Sequence, residues 1–182
     1  PMTDAARRVA LVTDAGHYVG PALALEFARR GHDLVIGDPA DGLVEELTEL
    51  GATVEVVDGV ANLARPESAP ALVEAALARF GKLDAAVAFS GQIIPGSFAD
   101  STIDQLRSLV TSCLEAPYNF LKAVTEPMVA AGSGQIVVIT SAAGGRPTKG
   151  ASLYSSVRAG ATMLTRNVAG EVARTGVQVN AL

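Results

Sequence analysis

The sequence predicts a doubly wound α/β fold, a three-layer α/β/α sandwich in which helices cover both faces of one parallel sheet. Short apolar runs alternate with segments of helical periodicity along all 182 residues. Runs that are apolar throughout are typical of parallel strands buried on both faces. Right-handed crossovers then give one domain, residues 1–182, with the strand order 3-2-1-4-5-6. The predicted strands are Val9–Thr13, Leu34–Gly37, Val54–Val57, Leu83–Phe89, Ile136–Thr140 and Val177–Leu182.

Glycine and proline predict where the intervening helices begin and end, because glycine favours the left-handed conformation that follows a helix and proline suits a first turn. Pro21 begins the first helix. A long helix is expected over residues 101–131, kinked at Pro117 and ended at Pro127. The last helix is expected over residues 152–175. The glycines expected to close helices are Gly31, Gly51, Gly81 and Gly176.

Composition excludes several classes of function. The net charge is −5, and the 14 lysines and arginines are scattered, so nucleic-acid binding is not expected. Cys113 is the single cysteine, which excludes an intrachain disulfide and a thiolate metal cluster. No apolar stretch approaches the roughly 18–20 residues of a membrane span, and the segment Pro1–Asp4 lacks a signal-peptide core. A cytoplasmic protein that acts on a small molecule, with no metal, is therefore expected.

The turn after the first predicted strand, Thr13–Gly20, lies where dinucleotide-binding folds have a glycine-rich loop. Glycines there let backbone amides approach a pyrophosphate at a helix N-terminus. Asp14 and Tyr18 occupy two of the glycine positions, and Gly20 fits the pattern. Because a carboxylate and a ring then lie where the anion would bind, the turn is expected to be closed to NAD, and no cofactor is expected. Asp38, where a ribose-binding acid would lie, is interpreted as a turn residue.

Ser141, Tyr154 and Arg158 form the candidate catalytic set. Tyr154 and Arg158 are four residues apart in a predicted helix, so they share one face. A cation within about 4–6 Å lowers the pKa of a phenol, ordinarily about 10, by roughly 1–3 units, which makes Tyr154 a candidate general base. Ser141 follows the fifth predicted strand, at the edge where open parallel sheets bind ligands, and its hydroxyl is expected to hold a substrate oxygen.

Two motifs resemble those of the halohydrin dehalogenase family, a cofactor-free branch of the short-chain dehydrogenase/reductase superfamily with its Rossmann-like fold. They are Thr13-x4-Tyr18-x-Gly20 and Ser141-x12-Tyr154-x3-Arg158. The resemblance implies a carbon–halide lyase that converts vicinal haloalcohols to epoxides and halide. It also implies epoxide opening by halide, azide, cyanide or nitrite, and a homotetramer packed through two long helices.

The resemblance further implies a substrate site. Tyr18 is expected to line a halide pocket in the volume that a nicotinamide would otherwise fill. Apolar residues after the fourth strand are expected to form the substrate wall: Phe89, Ile93, Ile94, Pro95 and Phe98. The family's halide loop and last strand follow the sixth strand, so a truncated C-terminal end and an incomplete halide site are expected.

Two other functions stay open. One is an NAD(P)-dependent short-chain dehydrogenase/reductase in which Lys149 or Arg158 replaces the usual lysine beside Tyr154. The other is a non-catalytic scaffold of the same fold that associates through its long helices. A requirement for NAD(P)H would distinguish the first alternative, and indifference to Tyr154→Phe would distinguish the second.

Overall fold

The computed structural model describes residues 7–182, and these form the predicted doubly wound fold. All five strand pairings are parallel, and the sheet order is β3-β2-β1-β4-β5-β6, which confirms the fold class and the strand order. Pro1–Asp4, on which the signal-peptide prediction rests, lies outside the described residues. The strands are β1 (Arg8–Val12), β2 (His32–Gly37), β3 (Val54–Val57), β4 (Ala85–Phe89), β5 (Gly134–Ile139) and β6 (Val177–Ala181).

The predicted strand bounds differ from the observed ones by at most two residues, and those of β3 coincide. Most helix bounds follow the glycines as expected, since the glycines after the first three helices have φ values of 79°, 81° and 72°. The helices are α1 (Gly20–Arg29), α2 (Leu43–Glu49), α3 (Ser68–Phe80), α4 (Ile103–Val110), α5 (Ala116–Ala131) and α6 (Ser152–Val172).

Helices cover both faces of the sheet because the side chains of each strand alternate between the faces. In β1, Val9 and Leu11 belong to one buried cluster, whereas Ala10 and Val12 belong to another. The first cluster also contains residues of α3, α5 and the end of α6, and the second contains residues of α1 and α2. The two layers of helices leave the carboxyl edge of the sheet open to its connecting loops.

The prediction of one helix over residues 101–131 was wrong in detail. The segment is α4, a π-helical turn at Thr111–Glu115, and α5. Pro117 lies in the first turn of α5, directly after the π-helical turn. Pro127 lies inside α5 and does not end it. The last turn continues because the fully buried Met128 anchors it, and Gly132, with φ of 70°, follows the end.

Helix α6 is shorter than predicted, because it ends at Val172 and residues 173–176 turn into β6. Gly176 still makes the reversal, with φ of 86°. Within residues 7–182, none of the helices has the length and apolar character needed to cross a bilayer.

Candidate active site

A cavity of about 480 Å³ opens at the carboxyl edge of the sheet. Its walls come from the turn after β1, the segment after β4, the end of β5, the π-helical turn and the first turns of α6. In an open parallel sheet, ligands bind at this edge, where loops from neighbouring strands meet. The lining residues used below are Asp14, His17, Tyr18, Phe89, Ile93, Ser112, Thr140, Tyr154 and Arg158.

Tyr154 and Arg158 lie together on the wall formed by α6, as their spacing predicts. Both are buried, with exposed fractions of 7% and 5%, and the guanidinium carbon lies 5.2 Å from the centre of the phenol ring. Nη2 of Arg158 donates a hydrogen bond to the backbone carbonyl of Ser90, directly after β4. This contact fixes the guanidinium between the phenol and the sheet.

The other two donor nitrogens of Arg158 lack protein partners. Nε and Nη1 are buried and have no hydrogen-bond partner among residues 7–182, and no carboxylate of the described chain pairs with the guanidinium. Buried donors are ordinarily satisfied, because desolvation without a partner is costly. The Nε and Nη1 groups of Arg158 are therefore available, beside Tyr154, to donate hydrogen bonds to the oxygen atoms of a ligand.

The structure does not bring Ser141 to this pair. Its Oγ accepts a hydrogen bond from the amide of Ala143, 3.2 Å away, and caps a 3₁₀ helix at Ala142–Gly144. Thr140, one residue earlier, lines the cavity instead.

The turn after β1 holds its own anion. Asp14 is 5% exposed, and its carboxylate accepts a hydrogen bond from the amide of Gly16, 2.9 Å away, and lies 2.7 Å from Nδ1 of His17. Gly20 begins α1 so close to this turn that a Cβ there would lie 1.9 Å from the carbonyl oxygen of Asp14. The backbone of the turn is therefore as compact as glycine at position 20 allows, and the carboxylate of Asp14 is bonded inside it.

Tyr18 takes the backbone conformation of the glycine that it replaces, with φ of 54°. Its side chain is 74% exposed, and its ring packs edge to face against Phe89, with ring centres 5.6 Å apart. The ring of His17 contacts Phe89 in the same way, also at 5.6 Å. These rings form the wall of the cavity between the turn and the end of β4, as expected for Tyr18 and Phe89.

Asp38 has a structural role that fits its interpretation as a turn residue. Its carboxylate accepts hydrogen bonds of 2.6 to 2.8 Å from the amides of Gly59, Val60 and Ala61. These contacts tie the turn after β2 to the loop after β3. The carboxylate is therefore already occupied by the protein's own amides at the place where a ribose would be recognised.

The predicted apolar wall is only partly assembled. Phe89 and Ile93 line the cavity. Ile94 and Pro95 line a separate cavity of about 150 Å³, and Phe98 is 72% exposed and lines neither. The chain leaves the sheet after β4 in an irregular segment without a fixed alternation, so hydrophobicity did not predict which side chains turn inward. The π-helical turn contributes Ser112 to the cavity, a contribution that no periodic pattern in the sequence indicates.

The fold and the site define a class: a Rossmann-type α/β protein with a buried tyrosine and cation at the ligand edge of its sheet. The chain belongs to the short-chain dehydrogenase family, whose model, described as "short chain dehydrogenase", matches residues 8–182. This confirms the superfamily to which the sequence motifs point.

Relatives and solved structures agree with this membership. A 3-oxoacyl-[acyl-carrier-protein] reductase of Synechocystis sp. is 31% identical over 186 residues, covering 100% of this chain and 74% of the relative. Oxidoreductase UcpA of Escherichia coli K12 is 31% identical over 179 residues, covering 96% and 67%. The acetoin dehydrogenase structure from Enterobacter cloacae has a TM-score of 0.87 at 29% identity, covering 98% of this chain and 72% of that one.

These findings correct the expected activity. The expectation of a cofactor-independent halohydrin dehalogenase that converts haloalcohols to epoxides is contradicted, because these relatives are named as reductases, oxidoreductases and dehydrogenases. The inference relied on Asp14 and Tyr18 in the turn and on Arg158 four residues after Tyr154. These replacements change side chains within the family's fold, and they do not by themselves define a lyase.

Proposed function

We propose that the protein is an NAD(P)-dependent oxidoreductase that interconverts a hydroxyl and a carbonyl group. Family membership and the names of the relatives support this class of reaction. The observation that carries the proposal is the buried pair of Tyr154 and Arg158 in a cavity of about 480 Å³, at the edge where the sheet binds ligands. That volume lies in the ordinary range for small-molecule sites.

Tyr154 transfers the proton in this proposal. Its phenol donates a proton to the substrate oxygen during carbonyl reduction and takes it back during alcohol oxidation. The Arg158 guanidinium stabilises the negative charge that develops on the oxygens during the transfer, and its contact with the Ser90 carbonyl holds it in place beforehand. Ser141 as the second hydroxyl on the substrate stays a prediction, and accepting a hydrogen bond from the amide of Ala143 leaves its O–H free to donate to a substrate oxygen.

The residues present fit one half of a nicotinamide dinucleotide better than the other. Such a group supplies a hydride when bound. The unpartnered Nε and Nη1 of Arg158 suit the hydroxyls of a ribose beside Tyr154. At the turn after β1, however, the buried Asp14 carboxylate and the Tyr18 ring do not fit a diphosphate.

The cavity walls favour a substrate with an apolar part next to its hydroxyl or carbonyl group. Phe89 and Ile93 supply apolar surface, whereas Thr140 and Ser112 supply hydroxyls. A small hydroxyketone or a 3-oxoacyl compound, the substrate types in the names of relatives, meets this description. The proposal therefore includes both as test substrates.

We also propose that copies of the chain associate through the outer faces of α5 and α6, as the sequence resemblance led us to expect. Tyr118 on α5 and Met163 on α6 are large apolar side chains that are 53% and 55% exposed, so both helices have apolar surface available for a subunit contact. Light scattering during gel filtration would measure the mass, and a tetramer is the expected result. A monomer at all concentrations would contradict this part of the proposal.

A coupled absorbance assay tests the activity. The protein is incubated with NADH or NADPH and either acetoin or a 3-oxoacyl thioester, and nucleotide oxidation is followed. Tyr154→Phe is expected to lower kcat by about a hundredfold or more, as loss of a general acid does. Tyr118→Phe is the matched control, since Tyr118 is exposed on α5 and does not line the cavity. Equal rates for the two variants would contradict the proposal and favour a non-catalytic scaffold.

A further inference from the structure

We infer that Asp14 is an internal anion that competes with the diphosphate of a dinucleotide for the turn between β1 and α1. In this view its charge, together with the Tyr18 ring, sets the affinity of the protein for nucleotides. The inference rests on the proposed function, because it concerns how that cofactor enters. The turn is then a weak nucleotide site, in contrast with a glycine-rich loop that has no carboxylate.

The carboxylate of Asp14 has the contacts of a bound anion. Only 7% of its side chain is exposed, Oδ1 accepts from the amide of Gly16, and Oδ2 lies 2.7 Å from the ring nitrogen Nδ1 of His17. Amides at the start of a helix are the donors that phosphate groups use in this kind of turn. Asp14 takes an amide of the turn for itself, that of Gly16, and it lines the cavity that a ligand would enter.

The backbone of the turn does not require an aspartate. Asp14 is not among the described residues with positive φ, so its position accepts other side chains without backbone strain. The capping site of α1 is also free of side-chain hydrogen bonds, since Val19 precedes the helix and no acidic residue lies in its first turn. Asp14 therefore has no capping role at α1, and the partner of its carboxylate in the turn is the amide of Gly16.

Charge repulsion is the larger of two effects. A diphosphate that replaced the carboxylate's contacts would lie within about 5 Å of it, and two like charges at that distance change affinity by between fourfold and a few hundredfold, for an effective dielectric of about 80 down to about 20. His17 offsets only part of this repulsion, because its side chain is 72% exposed to solvent. Neutralising Asp14 should therefore strengthen the binding of any diphosphate.

The Tyr18 ring adds a steric effect. It packs against Phe89 and lines the same cavity as Tyr154, so it takes up space that a dinucleotide would need. Its φ of 54° is a conformation in which glycine is free of strain, so Tyr18→Gly removes the ring and keeps the shape of the turn. The ring affects the nicotinamide half of a dinucleotide more than its adenosine diphosphate half.

Calorimetric titration with NAD⁺ and with ADP separates these effects. Asp14→Asn keeps the size of the side chain and an oxygen that can accept from Gly16, and it removes the charge. It is expected to tighten both ligands by at least about fourfold. Tyr18→Gly is expected to tighten NAD⁺ more than ADP. Asp104→Asn is the matched control, because Asp104 is 86% exposed on α4 and does not line the cavity; it should leave both affinities unchanged.

The results separate this inference from the proposed function. Asp14→Ser is measured beside Asp14→Asn as a second neutral variant. If both variants bind NAD⁺ and ADP no better than the wild type, the inference is overturned, whatever the activity. Absence of measurable binding to both variants, once each is shown to be folded by its thermal unfolding, overturns it too. If both bind more tightly but no variant oxidises or reduces a substrate, the inference holds and the proposed function fails.

Discussion

Replacing Gly91 by alanine is expected to destabilise the fold and to displace Arg158 from the cavity. Gly91 follows β4 with φ of 97°, a conformation that L-residues rarely adopt. A Cβ at this position would lie 2.4 Å from Sγ of Cys113 and 2.9 Å from Nη2 of Arg158. Both distances are shorter than atomic contacts allow, so either the loop or these two side chains must move.

The expected loss of stability in Gly91→Ala has two parts. Backbone strain costs about 1–2 kcal/mol, and overpacking beside Cys113 and Arg158 adds about 1–3 kcal/mol. Gly31→Ala isolates the first part, because Gly31 has φ of 79° and no atom within 4 Å of a built Cβ. We expect Gly91→Ala to lower the free energy of unfolding by about 2–5 kcal/mol and Gly31→Ala by about 1–2 kcal/mol.

Urea unfolding followed by circular dichroism measures both variants, and kcat/KM measures the site. Gly91→Ala should lose activity because Arg158 is moved, whereas Gly31→Ala should keep it. Adding Cys113→Ala to Gly91→Ala removes Sγ and should recover part of the overpacking cost. A loss for Gly91→Ala no larger than that for Gly31→Ala would refute the reasoning from the close approach.

Three further changes test separate parts of the structure. Arg158→Lys should lower kcat/KM by about tenfold or more. The guanidinium of arginine can bond to the Ser90 carbonyl and still has donors free for a ligand, whereas lysine lacks this planar fork; unchanged kinetics would contradict this reasoning. Burial of His32 lowers its pKa below the usual 6.5, so the unfolded chain binds the extra proton first, and the free energy of unfolding should fall as the pH drops below about 6.5. In chemical unfolding at several pH values, His32→Gln should flatten that slope, and an unchanged slope would contradict the assignment to His32. Thr102→Ala should cost about 1 kcal/mol in thermal unfolding, since Thr102 caps α4 in a capping box; no change would show that the cap adds nothing.

Features with a period or a fixed spacing could be predicted from the sequence, and features of irregular backbone could not. The six strands, their order and the meeting of Tyr154 with Arg158 follow from apolar runs and from helical spacing. The role of Ser141 stays a prediction: its place after β5 follows from the strand pattern, whereas the direction of its hydroxyl depends on the irregular backbone of the following turn. The path of the segment after β4, which holds Phe98 away from the cavity, depends on tertiary contacts that no local pattern indicates.

The activity was the part that sequence reasoning predicted wrongly, and the reason is physical. Asp14 and Tyr18 in the glycine turn were interpreted as the loss of a cofactor. In the structure, Gly20 approaches the backbone of Asp14 so closely that a Cβ would not fit, while Asp14 and Tyr18 add side chains to the turn. Side-chain replacements in such a turn can alter affinity without changing the reaction, and affinity is what the titrations with Asp14→Asn measure.

The π-helical turn between α4 and α5 has a consequence for how this chain tolerates insertions and deletions. Each residue of an α-helix rotates the next by about 100°. Deleting one residue from Thr111–Glu115 would therefore rotate α4 about its own axis relative to α5, carrying the buried Leu109 away from Tyr154 and Val157. The number of residues in this turn, independent of their identity, sets which side of α4 meets α6. A single-codon deletion there would therefore change the packing of α6, the helix that carries Tyr154.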